Sequence, residues 1–343
     1  MRGEMMNRRP TTLFALLILL AIAFFMANIG AGEYELSLWE VVQTLFGLGS
    51  GEHSFIVNTL RLPRALIAFL VGAGLAVSGA ILQGITSNPL ASPGVIGLNA
   101  GASLAAVLVI VALPAVPLGF LPPAAFAGAL LAAILTYWLG WKEGSSMYRI
   151  ILVGVGVSAI AQAFITIIMM SGKIMLVTQA LIWMTGSVYG RGWEHFYALL
   201  PWMILFLPLA FLLSRQLNLL QLGDDVSKGL GSKIEWVRGG LILVSVALAA
   251  ASVATAGTVY FVGLMAPHIA RRLFGPSHTT LLPASALTGG LLVLASDFVG
   301  RTIAAPVELP CGLITAMIGA PYFIYLLLTE NKKSGKNVRK RHY

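Results

Sequence analysis

The chain has 343 residues, of which 58% are hydrophobic and only 10% charged, with a mean hydropathy of +0.88. A soluble domain carries about 25% charged residues, so these charges cannot cover a water-soluble fold of this length, nor is there room for a separate ATPase domain. The formal charge of +9 is spread over short loops and the tail rather than one folded face, which excludes a nucleic-acid surface.

A transmembrane helix needs about 20 apolar residues to cross about 30 Å of hydrocarbon. Apolar runs bounded by charge, proline or glycine clusters predict ten spans: 13–29, 62–83, 94–113, 121–140, 149–170, 194–213, 237–256, 258–274, 281–303 and 312–328. The expected fold is all-α, a polytopic membrane protein with one transmembrane domain over 1–343. Arg8 and Arg9 ahead of the first run, with small residues from Ala27 to Ala31, also suit a signal peptide. An uncleaved first helix is the preferred reading. The stretch from Val237 to Phe274 is too long for one crossing and is divided at Gly257.

With ten spans both termini fall on one side, together with 17 of the 22 Lys and Arg residues. The positive-inside rule makes that side cytoplasmic. Only Arg61, Arg64, Lys173, Arg191 and Arg301 fall outside. The basic tail over 330–343 reads as a topology anchor near anionic lipid.

The second span opens on Arg61-Leu62-Pro63-Arg64. Two cations three residues apart share a face. They lie at a helix N-terminus, where the macrodipole disfavours them, and on the cation-poor side. An acidic partner and snorkelling to lipid headgroups both fit. Asn88-Pro89 and Ser92-Pro93 force a non-helical link before the third span. Between Ser171 and Trp193, with Met169, Met170, Met175 and Met184 nearby, flexible thioethers suit either ordinary packing or a mouth for a bulky ligand.

The longest internal loop, 214–236, contains Leu222-Gly223-Asp224-Asp225-Val226-Ser227-Lys228-Gly229-Leu230-Gly231. Its aspartates can start a helix and its glycines can end one. That predicts a short surface helix offering a knob to a partner, with a solvated turn as the alternative. His268 beside Pro267 reads as a neutral histidine at a kink rather than a proton relay. Arg301 follows Asp297 by four residues, so an intrahelical pair is one reading. The single cysteine, Cys311, reads as a small buried hydrophobe, and no disulfide framework, cofactor motif or metal-ligand spacing is present.

No Walker A, HExxH or paired catalytic set occurs, which argues against an intramembrane enzyme. No acidic residue sits at the middle of a span, whereas ion-coupled carriers place ionisable or unwound sites there. The energy source is therefore expected outside the chain.

The chain resembles the permeases of binding-protein-dependent ABC importers for ferric siderophores, haem and vitamin B12, the FecCD/BtuC-like family. The resemblance is carried by Arg61 to Arg64, Gly72 to Gly79, Gln83-Gly84, Asn88 to Ala91, Pro93-Gly94, Leu222 to Gly231, Phe261 to Leu264, Pro267-His268, Arg271, Glu308 to Pro310, Gly312 and Gly319 to Pro321. It implies a type II permease of ten helices in a bacterial cytoplasmic membrane. The implied partners are a second permease subunit, cytoplasmic ATP-binding subunits and an extracytoplasmic substrate-binding protein. By the same resemblance Arg61, Arg64 and Arg301 dock glutamates of the binding protein. Gly223, Asp224, Asp225, Lys228, Gly229 and Gly231 form the coupling element toward the ATPase. Asp224-Asp225 stand where the family often has a glutamate. The fifth and tenth spans would line the path. Substrate stays open among ferric siderophores, B12 and haem, with a ferric siderophore preferred.

Overall fold

The structure is a computed structural model, and it describes residues 2–32, 34–141, 147–229 and 234–340. All of its regular structure is helical among these residues. Each predicted run meets a helix: α1 (Arg2–Gly30), α4 (Leu62–Thr86), α5 (Leu98–Val107), α6 (Leu121–Gly140), α7 (Met147–Ser171), α9 (Trp193–Leu212), α12 (Ile234–Ala256), α13 (Val262–Phe274), α14 (His278–Thr302) and α15 (Cys311–Lys340). Five short helices fill the connections: α2 (Leu38–Leu45), α3 (Gly51–Ser54), α8 (Ile174–Thr185), α10 (Ser214–Leu220) and α11 (Asp224–Gly229). Among the described residues, eight helices are long and apolar enough to cross a membrane.

α4 and α12 are buried along most of their length, whereas α1, α7 and α9 expose most of theirs. Lipid supplies little hydrophobic drive between helices, so close backbone approach and interhelical hydrogen bonds must do the joining. α4 has both. A Cβ on Gly72 would overlap the Gly289 carbonyl of α14, and one on Gly289 would overlap the Gly72 carbonyl. Gly79 lies as tightly on Gly263 of α13. On the α12 side, Ser78 and Ser245 exchange hydrogen bonds, each hydroxyl donating to the other's carbonyl at 2.8 and 3.1 Å.

The α4–α14 pair is antiparallel in one continuous register. Arg64 meets Asp297, Gly72 meets Gly289, and Gly84 lies under the His278 ring. Eight residues separate the first two contacts on both helices. This seam therefore ties the two ends of the bundle together. At one end α1 finishes, α4 and α15 begin and α14 finishes. It is called the arginine end below.

Two elements differ in length from a full crossing. α13 has 13 residues, about 20 Å at 1.5 Å per residue. Ahead of it the chain leaves the helix at Gly257, as expected for that break, with φ +74°, and re-enters at Phe261, with φ +67°. Non-helical backbone at membrane depth needs protein around it or a cavity beside it. Here Ser187 N–H donates to the Ala256 carbonyl at 2.7 Å, and the Thr258 hydroxyl donates to the Met184 carbonyl. A cleft of about 380 Å³, lined by Asn99, Ser103, Ser158, Gln162 and Tyr260, flanks the segment. α8, 12 residues long, lies inside the stretch 171–193. Its run is too short to read as a span, so the sequence placed it in a connection.

Packing at the glycine seam carries a direct test. Gly79→Ala should destabilise the protein by about 2 kcal/mol or more, because the added methyl meets backbone rather than a yielding side chain. Gly240→Ala on α12, with open space around it, should leave stability unchanged or raise it by up to about 1 kcal/mol. Thermal unfolding of the two variants in detergent checks the contrast.

Candidate functional site

The arginine end gathers residues far apart in sequence. Arg64, in the first turn of α4, points its Nε and Nη2 edge at Asp297 of α14, at 3.1 and 2.8 Å. Two parallel N–H···O bonds match the guanidinium fork to the carboxylate. Its Nη1 lies 2.8 Å from Glu308 Oε2, in the turn before α15. The guanidinium also sits over the Tyr189 ring at 5.6 Å. Asp297 thus turns to Arg64 across the helix pair and not to Arg301 along its own helix.

Arg61 closes the end of α1. It donates to the carbonyls of Ile29 at 2.8 Å, Gly30 at 3.0 Å and Tyr34 at 2.6 Å. The last carbonyls of a helix have no intrahelical donors, and a cation there is favoured by the dipole. This resolves the oddity of cations at the start of α4: their neighbour is the C-terminus of α1. Gly32 is required beside them, since its φ is +145° and a Cβ would stand 2.5 Å from Arg61 Nη2. Arg301, in the last turn of α14, donates to the Asn28 carbonyl at 2.7 Å and to Asn28 Oδ1 at 3.2 Å. Asn28 in turn donates to the carbonyls of Phe24 and Leu294 at 2.9 and 3.0 Å.

The three arginines named from the sequence are therefore brought together, but they are not free surface charges. Arg301 is buried and the Arg64 side chain is 11% exposed. The sequence missed Asn28, Tyr189 and the parts played by Asp297 and Glu308. Charge survives nonetheless, because Arg61 and Arg301 bond to neutral acceptors. Exposed Tyr34, Leu60, Tyr189, Ile303 and Val307 surround the cluster with apolar surface. Beside it opens a cavity of about 530 Å³, bordered by Tyr189, Trp183, Arg191 and His195. Arg191 Nη1 is 3.0 Å from His195 Nε2, and burial pushes the Arg191 guanidinium below its ordinary pKa.

At the opposite end, α11 is the short helix expected in 214–236, and α10 is a second one that the sequence did not indicate. Gly223 turns between them with φ +94°. The buried Ser227 hydroxyl donates back to the Leu219 carbonyl at 2.7 Å, locking α11 onto α10. α10 is held on α14 through Asn218, whose Oδ1 accepts from the His278 backbone N–H at 2.8 Å and lies 2.9 Å from its Nδ1. Leu222 and Val226 stay exposed, as an apolar knob would. The side chains of Asp224, Asp225 and Lys228 lie outside the described residues, as does Gly231 altogether. Arg271 Nη2 donates to Gln83 Oε1 at 3.4 Å, joining α13 to α4 nearby. His268 packs edge-on to Tyr322, and Cys311 is buried as expected.

Comparison with known proteins gives a consistent result. The model of the FecCD transport family matches residues 18–329. The chain is 45% identical to the Bacillus subtilis (strain 168) protein named "Probable siderophore transport system permease protein YfhA", covering 94% of this chain and 95% of that one. It is 43% identical to the iron(3+)-hydroxamate import system permease protein FhuG of the same organism, covering 95% and 99%. Among solved structures it is similar to one described as a metal-chelate type ABC transporter in an inward-facing conformation, with TM-score 0.83 and 31% identity over 93% of this chain and 99% of that one.

The geometry separates the two carboxylates on Arg64. Asp297→Asn leaves a buried guanidinium without its main counter-charge and should cost about 3 kcal/mol. Glu308→Gln removes a more exposed partner and should cost less than about 1 kcal/mol. Denaturant unfolding of both variants in micelles measures the difference.

Proposed function

The chain belongs to the FecCD transport family, and from that premise we propose that it is the permease subunit of an ATP-driven importer carrying a ferric-siderophore complex across a bacterial cytoplasmic membrane. The observation that carries the substrate class is the end-to-end likeness to permeases of siderophore and iron-hydroxamate systems. ATP is hydrolysed by a partner chain, and the chain itself moves substrate without catalysing a reaction.

The arginine end faces outward and the α10–α11 end faces the cytoplasm. The first helix ends at the arginine end and the last helix starts there, which supports a cytoplasmic side holding both termini and most of the Lys and Arg. Outside, Arg61, Arg64 and Arg301 attract the acidic surface of a substrate-binding protein, and the apolar rim gives it area to bury. Inside, α11 with Gly223 and Gly229 seats in an ATP-binding subunit, and Asn218 and His278 tie that movement to α14.

A second permease subunit completes the path. α7 and α15 present broad exposed faces, including Leu152, Val155 and Phe164 on one and Leu313, Met317 and Ile324 on the other. Exposed Gln162 and Tyr260 beside the α5–α7 cleft are costly against lipid and suit a water-filled path. Few charged groups line these faces, so a bulky chelate is held weakly and can leave.

Uptake of radiolabelled iron, presented on hydroxamate and on catecholate siderophores, tests the reading in cells with and without the gene. The expected result is loss of one siderophore class, restored by the gene and dependent on the partner ATPase. Uptake that persists without the ATPase and collapses with an ionophore would contradict it.

A further inference from the structure

Arg64 holds two carboxylates of different character. Asp297 projects from within α14, its side chain is 3% exposed, and it takes the fork of the guanidinium. Glu308 belongs to the non-helical turn between α14 and α15, its side chain is 26% exposed, and it touches Nη1 alone. Asp297 is the fixed partner. Glu308 is the one that can leave without disturbing a helix.

We propose that Glu308 occupies the seat taken by an acidic side chain of the docking protein, so that docking exchanges one carboxylate for another on Arg64. The inference rests on the docking reading of the arginine end.

Three observations support it. First, every other donor of the cluster that makes a bond is committed to backbone or to buried groups: Arg61 to three carbonyls and Arg301 to Asn28. The Nη1 edge of Arg64 is the position where an outside acid can substitute for an inside one. Second, among the described residues the carboxylates that pair with these three guanidinium groups are Asp297 and Glu308, both on Arg64. When Glu308 swings out, the positive field facing the partner grows by one unit, which favours an incoming carboxylate over a neutral group. Third, the turn carrying Glu308 also carries the exposed Ile303 and Val307, with Tyr189 beside Arg64. Anchor and rim are thus continuous, as at a protein interface.

Exchange has a physical consequence. A site occupied by its own carboxylate offers an incoming acid only the fraction of time that it is open, and apparent affinity falls by that fraction. The charges still steer encounter, but the complex is kept from becoming too tight to release. Glu308 would thus set the affinity of docking and Asp297 the geometry.

The test measures binding of the cognate substrate-binding protein to the intact permease–ATPase complex in nanodiscs. Glu308→Gln should tighten the dissociation constant about fivefold, the value of a partly exposed pair. Glu308→Asp, whose arm is one methylene shorter, should tighten it in the same direction while keeping the charge nearby. This variant decides the matter if the glutamine variant is poorly folded. Arg64→Lys should weaken docking and abolish the gain from Glu308→Gln. Weakened docking in Arg64→Lys with no tightening in either Glu308 variant overturns the exchange and leaves the docking surface standing. Binding indifferent to Arg64→Lys, to Arg61→Gln and to salt overturns the docking reading itself.

Discussion

The ion pair between Arg64 and Asp297 is the constraint on which the rest of the arrangement depends. Removing a guanidinium and a carboxylate from water costs several kcal/mol per ion, and the pair is tolerable only when its hydrogen bonds are well made. The paired bonds of 3.1 and 2.8 Å meet that condition, and they do so in only one rotation and one register of α4 against α14. With that register set, Gly72 falls on Gly289 and Gly84 falls under His278. The ion pair and the close glycine contacts specify the same register.

One consequence is that α14 touches both ends of the molecule. Its last turns carry Asp297 and Arg301, and its first residue holds Asn218 of α10. The surfaces proposed for an outside protein and for a nucleotide-hydrolysing partner are therefore joined by one helix of 25 residues, about 37 Å long. A second consequence lies at the end of α1. Arg61 and Arg301 both close on its last residues, so the first helix is bound into the cluster through Asn28, Ile29 and Gly30. The arginine end is a shared terminus of several helices, with charge left over because its acceptors are mostly neutral.

How much of this was legible in the sequence follows the physics of each feature. Apolar runs of bilayer length stand out because the solvent imposes them, and every expected span meets a helix. The break at Gly257 and the helix over Asp224–Gly229 were legible because glycine and aspartate act locally. α8 was not, since twelve apolar residues fit a connection as well as a helix. The late start of α13, at Val262 rather than 258, was hidden too, because the non-helical residues ahead of it are as apolar as a helix would be. The arginine cluster divides the same way. Its members were visible as cations on the wrong side of the membrane. Their partners were not, because Arg64 and Asp297 lie 233 residues apart and backbone carbonyls leave no mark in a sequence. The anomaly of cations at a helix start was real, and its cause was the end of another helix.

The account separates holding the bundle together from meeting a partner, and the double variant Arg64→Met/Asp297→Leu tests that separation most directly. Replacing a buried pair by apolar residues of similar size is often neutral for stability. The measurement is capture of the substrate-binding protein by the purified double variant, alongside its unfolding midpoint. The account predicts stability within about 1 kcal/mol of the parent, with capture lost or strongly reduced. Undiminished capture by a well-folded double variant would contradict the account, because Arg64 would then have no part in docking.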